Sequence, residues 1–182
     1  VVDAAITFCE NSLVLREVLD PLTLQAGLDQ YEFSAPSNQE VVRLLNVWVD
    51  GQLLRPIPAE QVDYAAQQDG APSSYYVLRQ DEVLTVQLYP TPIAAGQLSA
   101  EVALRPTREA TQLPTDLYTY WLDAVLAGTL AHLLALPATS FSNPAAATHY
   151  MGRAATLTGR ARIEGSRGRL RTSLRISPRS FT

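Results

Sequence analysis

Lysine is missing from this chain, and cysteine is down to one residue, Cys9. A single thiol excludes any disulfide within the chain and any cysteine-built metal site. Histidine occurs only at His132 and His149. Neither stands in a His-x-x-x-His or Glu-x-x-His spacing, so no metal is expected. No apolar run approaches the roughly 20 residues that cross a bilayer, and the opening VVDAAITFCE lacks the basic flank of a secretory signal. The chain is expected to be soluble and to make no contact with membranes. Its glycines form neither a phosphate-binding loop nor a dinucleotide fingerprint, and no Gly-x-Ser-x-Gly elbow occurs. Asp50, Asp81 and Glu82 fall at turns, where acids are ordinary. No nucleophile and base stand out as a pair, so neither catalysis nor a cofactor is expected.

What is present is enough for a folded core: 182 residues, 47% of them hydrophobic. The charge is divided along the chain. Residues 151–182 carry eight arginines against one acid, Glu164, a balance of +7, whereas residues 1–150 carry six arginines and seventeen acids, a balance of -11. Such asymmetry marks a tail that binds an acidic surface. All fourteen basic residues are Arg. Coding bias accounts for most of that, although the planar guanidinium also suits interface carboxylates.

Val2, Ile6, Cys9 and Leu13 share one helical face, which predicts an amphipathic helix over residues 1–16, closed by Asp20-Pro21, with Cys9 in the core. From 22 to 106 the period changes to two. Asp50-Gly51, between Val47-Trp48-Val49 and Leu53-Leu54, is a hairpin signal. In EVLTVQLYP, Leu84, Val86 and Leu88 alternate with Val83, Thr85, Gln87 and Tyr89; in QLSAEVALRP, Leu98, Ala100, Val102 and Leu104 share a side. A meandering antiparallel module is expected there. Pro114 opens and Pro137 stops a second helix, nearly apolar all round in its second half, so that some surface must cover it. Asn143-Pro144 opens a third helix, ending near Gly165. Gly152 and Gly159 lie on one face of that helix, where each costs about 1 kcal/mol against Ala, which suggests close approach of another backbone. The expected fold is α+β: a helical bundle of one N-terminal and two C-terminal helices (1–20 and 107–165), an inserted antiparallel β module (21–106) and an extended C-terminal arm (166–182).

In the tail, period two separates Leu170, Thr172, Leu174 and Ile176 from Arg169, Arg171, Ser173 and Arg175. That predicts a strand with one apolar and one cationic edge, followed by Pro178 and Phe181. Gly165-Ser166-Arg167-Gly168 reads as a flexible joint. Such a strand can add itself to a sheet edge of another molecule or pair with the chain's own β module. The arginines also suit a nucleic-acid-binding accessory protein, contacting phosphates in a salt-dependent way. Aromatics are not interleaved with them, however, so no stacking platform for single strands is visible.

Taken in order, DAAITFCENSLVLREVLDPLTL, VVRLLNVWVDGQLLRP, VQLYPTP, VALRPTREATQLPTDLY, LAHLLALP, FSNPAAATHY and LRISPRSF resemble the head-to-tail adaptor (connector) proteins of tailed bacteriophages, over nearly the whole chain. The resemblance implies a structural virion protein of the head-tail junction, assembled in the host cytoplasm, whose copies form a closed ring of about twelve below the portal. It implies three partners: the portal protein, a downstream tail or nozzle protein, and further copies of the chain itself. DNA would pass through the channel without specific binding, repelled by acids of the body. By carry-over, the portal contact falls on Arg167, Arg169, Leu170, Arg171, Leu174, Arg175, Ile176, Arg179 and Phe181, and subunit packing on Gly128, Ala131, Gly152 and Gly159.

Overall fold

Eleven residues after the first, the opening helix stops sooner than its periodicity suggests. The computed structural model describes residues 1–58, 68–79 and 83–167. Within them run α1 (Val2–Ser12), β1 (Arg16–Val18), β2 (Leu22–Leu24), β3 (Gln30–Ser34), β4 (Gln39–Val49), β5 (Gln52–Leu53), β6 (Arg55–Pro56), β7 (Asp69–Gly70), β8 (Ser74–Arg79), β9 (Val83–Tyr89), β10 (Thr91–Pro92), β11 (Gly96–Pro106), α2 (Thr115–Ala135) and α3 (Pro144–Ser166). The fold is α+β, with three helices and mainly antiparallel strands among the described residues.

Leu13 closes α1 in the left-handed region, at φ 52, its N–H bonded to the Cys9 carbonyl. Residues expected to continue the helix instead form β1, which pairs antiparallel with β11, Arg16 opposite Ala103 and Val18 opposite Glu101. A ladder on a long neighbouring strand satisfies those backbone groups better than a fraying helix end. The buried stripe of α1 is also rotated from the expected one: Ala4, Ala5, Phe8, Cys9 and Ser12 face inward, while Val2 and Ile6 are only half-buried.

The β part is not a meander. One sheet runs β1-β11-β4-β5 with β2 also on β11, and a second runs β3-β9-β8-β6. Two short pairings, β6 with β8 and β7 with β10, are parallel. The long strands β4 and β11 meet across nine paired positions with two irregularities, between Glu101 and Val102 and between Ala103 and Leu104. Both alternations read from the sequence face inward. Leu84, Val86 and Leu88 of β9 join Leu98, Ala100, Val102 and Leu104 of β11 in one apolar cluster between the sheets. Gln87, on the other side of β9, is buried too, because it accepts from the Tyr76 hydroxyl and donates to Asp29 Oδ2 at 2.6 Å. Its polar atoms are therefore satisfied without water. The hairpin forms as expected: Trp48 faces Leu53 and Val49 faces Gln52, with Asp50 and Gly51 both at positive φ.

Pro114 caps α2, and the Asn143 side chain caps α3 by accepting from the Ala146 N–H at 3.0 Å. The helices share a second apolar cluster, with Phe8 and Cys9 of α1, Trp121 and Val125 of α2, and Ala161 of α3. Leu15, just after α1, packs against both clusters and joins the two parts. The expected joint at Gly165 is neither loose nor outside the helix. Gly165 is buried in the last turn of α3, and a Cβ there would lie 3.3 Å from Val14 Cα and 3.4 Å from the Leu13 carbonyl oxygen. The turn that ends α1 thus leaves little room for a side chain where α3 passes it.

Candidate assembly surfaces

α2 turns Leu117, Trp121, Ala124, Val125, Ala127 and Ala131 inward. The Trp121 ring sits 5.8 Å from that of Phe8, and a Cβ on Gly128 would touch Ala4 Cβ at 3.3 Å. Gly128 is therefore used inside the chain, where its small size lets α1 lie close, and Ala131 is buried. Gly152 and Gly159 differ: both are exposed, and a Cβ on either would meet nothing within 4 Å. No backbone among the described residues approaches them.

Arg167 is exposed and caps α3, its N–H bonded to the Ile163 carbonyl at 3.1 Å. Of the other residues assigned to portal contact, Arg169, Leu170, Arg171, Leu174, Arg175, Ile176, Arg179 and Phe181 lie outside the described residues. Arg167 also borders a groove of about 750 Å³ between the first half of α2 and the last turns of α3, lined by Tyr118, Tyr120, Trp121, Leu157 and Glu164 among others. The Trp121 indole N–H is buried there without an acceptor among the described residues.

One feature of α2 is not separable from the sequence. Leu122, Leu126, Leu130 and Leu133 stay exposed, with Tyr118 at the same face. Their spacing of three and four is visible in the chain, but so is that of the inward face, and only packing separates them.

Among the described residues, Cys9 and Arg105 are engaged within the fold. Cys9 is buried, and burial, with the charge of Glu10 adding to it, pushes its thiol up to about 12. It is held protonated and is no nucleophile at neutral pH. Burial works against the charge on Arg105, but hydrogen bonds to Glu40 and Glu10 outweigh it and hold the guanidinium above its ordinary value. His149 is exposed and half of a ring contact with Tyr150, and among the described residues no three His, Cys, Asp or Glu converge on a position that could hold a metal. No helix among the described residues is long and apolar enough to cross a membrane.

Residues 1–177 match the SU10 adaptor protein family. The chain belongs to that family. The SU10 adaptor family comprises phage head-to-tail adaptors, structural components of the virion and not enzymes. In this adaptor the match takes in the helices, both sheets and most of the arginine-rich tail. Curated proteins give no match to it.

Proposed function

We propose that this chain is the ring component that joins a phage portal to its tail, closing with about twelve copies and reaching the portal through residues 167–182. The observation that carries this reading is the adaptor-family match over residues 1–177, which runs on past α3 into the arginine-rich segment. Two features support the finer assignment. α3 is capped by an exposed Arg167, so the described part of the chain ends at the surface. The alternation of Leu170, Leu174 and Ile176 with Arg169, Arg171 and Arg175 suits a strand added to a partner's sheet edge, its arginines paired with carboxylates. Many arms held on one ring would turn modest single affinities into a firm joint through effective concentration. The body, which carries the excess of acids, would meet the tail or nozzle protein and face passing DNA with like charge.

The test is a chain cut after Arg167, so that Gly165 keeps its place against Val14. Portal capture by the intact chain and its loss on truncation is the expected result. Portal binding that survives truncation sinks the arm as the clasp. The charge split also favours a second reading, an accessory protein whose tail contacts nucleic acid. Retention on DNA that falls steeply with salt and vanishes on the same truncation would favour that reading.

A further inference from the structure

α2 and α3 each leave one face uncovered, and the two faces are unlike. On α2, Tyr118, Leu122, Leu126, Leu130 and Leu133 recur every three or four residues and so stand in one ridge. The four leucines are 37 to 44% exposed. Surface leucines scattered singly are ordinary, but a continuous ridge on one helix marks a surface that another molecule covers. On α3 the small residues Thr148, Gly152, Ala155 and Gly159 share one exposed line, bordered by the exposed Met151, Arg162 and Ile163. The open space above Gly152 and Gly159 makes it a trough. Neither glycine is required by α3 itself, because both sit in the helix interior with ordinary backbone angles and each weakens the helix.

Charge separates the faces in the same way. α2 carries Asp116 and Asp123 and no arginine, whereas α3 and its cap carry Arg153, Arg160, Arg162 and Arg167 against Glu164 alone. Within the chain Arg153 reaches Asp123 at 3.4 Å and Arg160 reaches Glu164 at 2.9 Å. Arg162 has no ion pair among the described residues.

We infer that the leucine ridge of α2 in one copy packs into the glycine trough of α3 in the next, and that this is the repeated contact between copies. The inference rests on the ring proposed above and names its two surfaces. A ridge meeting its own copy stops at a dimer and leaves Arg162 unmatched. Two different patches meeting head to tail make a heterologous contact, which closes into a ring when its rotation allows. An apolar ridge on a helix that carries Asp116 and Asp123 fits a trough bordered by Met151 and Ile163 with Arg162 beside it, and the net charges of the two helices are opposite in sign.

The discriminating variants are Gly152→Leu and Gly159→Leu in the full chain. Each has room within its own copy and replaces a weak helix former, so the monomer is expected to keep or gain helicity and to hold or raise its thermal midpoint. Self-association, followed by light scattering and sedimentation, is expected to weaken at least about tenfold, the same as for Leu126→Glu. On a Cys9→Ala background, proteins with one cysteine introduced at Leu122, Leu126 or Leu130, mixed with others carrying one at Gly152 or Gly159 and treated with a short bismaleimide, should give dimers that neither gives alone. A chain carrying one of each should give a ladder. Unchanged association in both glycine variants, or self-linking of the α2 variants with no mixed dimer, would overturn the assignment. Mixed dimers in a chain that ignores portal would count against the adaptor reading and leave this contact standing.

Discussion

Arg105 of β11 donates from Nε and Nη2 to a single carboxylate oxygen of Glu40 on β4, at 2.9 and 2.7 Å. Its remaining nitrogen, Nη1, donates to Glu10 of α1. One guanidinium therefore joins the first sheet to the helical part, at the point where α1 crosses β11. Glu40 is the less exposed acid of the two, at 24% of its side chain against 39% for Glu10.

Arg105→Leu leaves Glu40 half-buried without its cation. The expected loss in denaturant unfolding is about 1–3 kcal/mol, because the stranded carboxylate keeps its desolvation cost. Glu10→Gln, on the more solvated side, should cost less than about 1 kcal/mol. A reversed order would place the tie to α1, not the one to β4, as the stronger.

Glycine positions on α3 should respond with opposite signs. Gly165→Val drives a branched side chain against the Val14 and Leu13 backbone, and is expected to cost about 1–3 kcal/mol as overpacking. Gly152→Ala fills open space on an exposed helix face and should add about 0.5–1 kcal/mol. Thermal unfolding of the two single variants checks both signs together.

Cys9 ties stability to alkaline pH. Its folded-state thiol lies at about 12, above the unfolded value, so both states hold the proton at neutral pH. As pH rises past the ordinary thiol range the unfolded chain ionises first, and stability falls until the folded value is reached. The slope approaches about 1.4 kcal/mol per pH unit. Cys9→Ala should flatten that decline between pH 9 and about 12. Tyr75, also raised by burial, contributes in the same direction and should leave a residual slope. The thiol itself should react with reagents only when the chain is unfolded.

Asn143→Ala removes the side-chain acceptor for the Ala146 N–H at the start of α3. The expected cost is about 1 kcal/mol, read as a lowered thermal midpoint, and Asn143→Asp should retain most of the stability.

Local signals are legible where neighbours in the chain supply the physics. Asp50-Gly51 makes its turn from its own two residues, Asn143 caps its own helix, and the alternations around Val86 and Ala100 need only a strand with one buried side. The order of these segments is also enough to place the chain among the adaptors. Residues 13–16 depart from their helical reading, Arg16 by opening the strand that pairs with Glu101–Ala103, because that partner is remote in sequence and a ladder with a distant strand overrides a local helical period.

Sequence alone determined the three helices, the Asn143 cap, the hairpin and the division of charge between body and tail, because each depends on residues within a few positions or on composition. Only the tertiary structure decided which sides are used. α2 is apolar nearly all round, so its periodicity permits several buried faces. Packing of α1 and α3 covers Trp121, Ala124 and Val125 and leaves Leu122, Leu126, Leu130 and Leu133 in water. The glycines divide the same way: Gly165 meets backbone and Gly152 meets nothing, a difference set by what lies opposite each one in space.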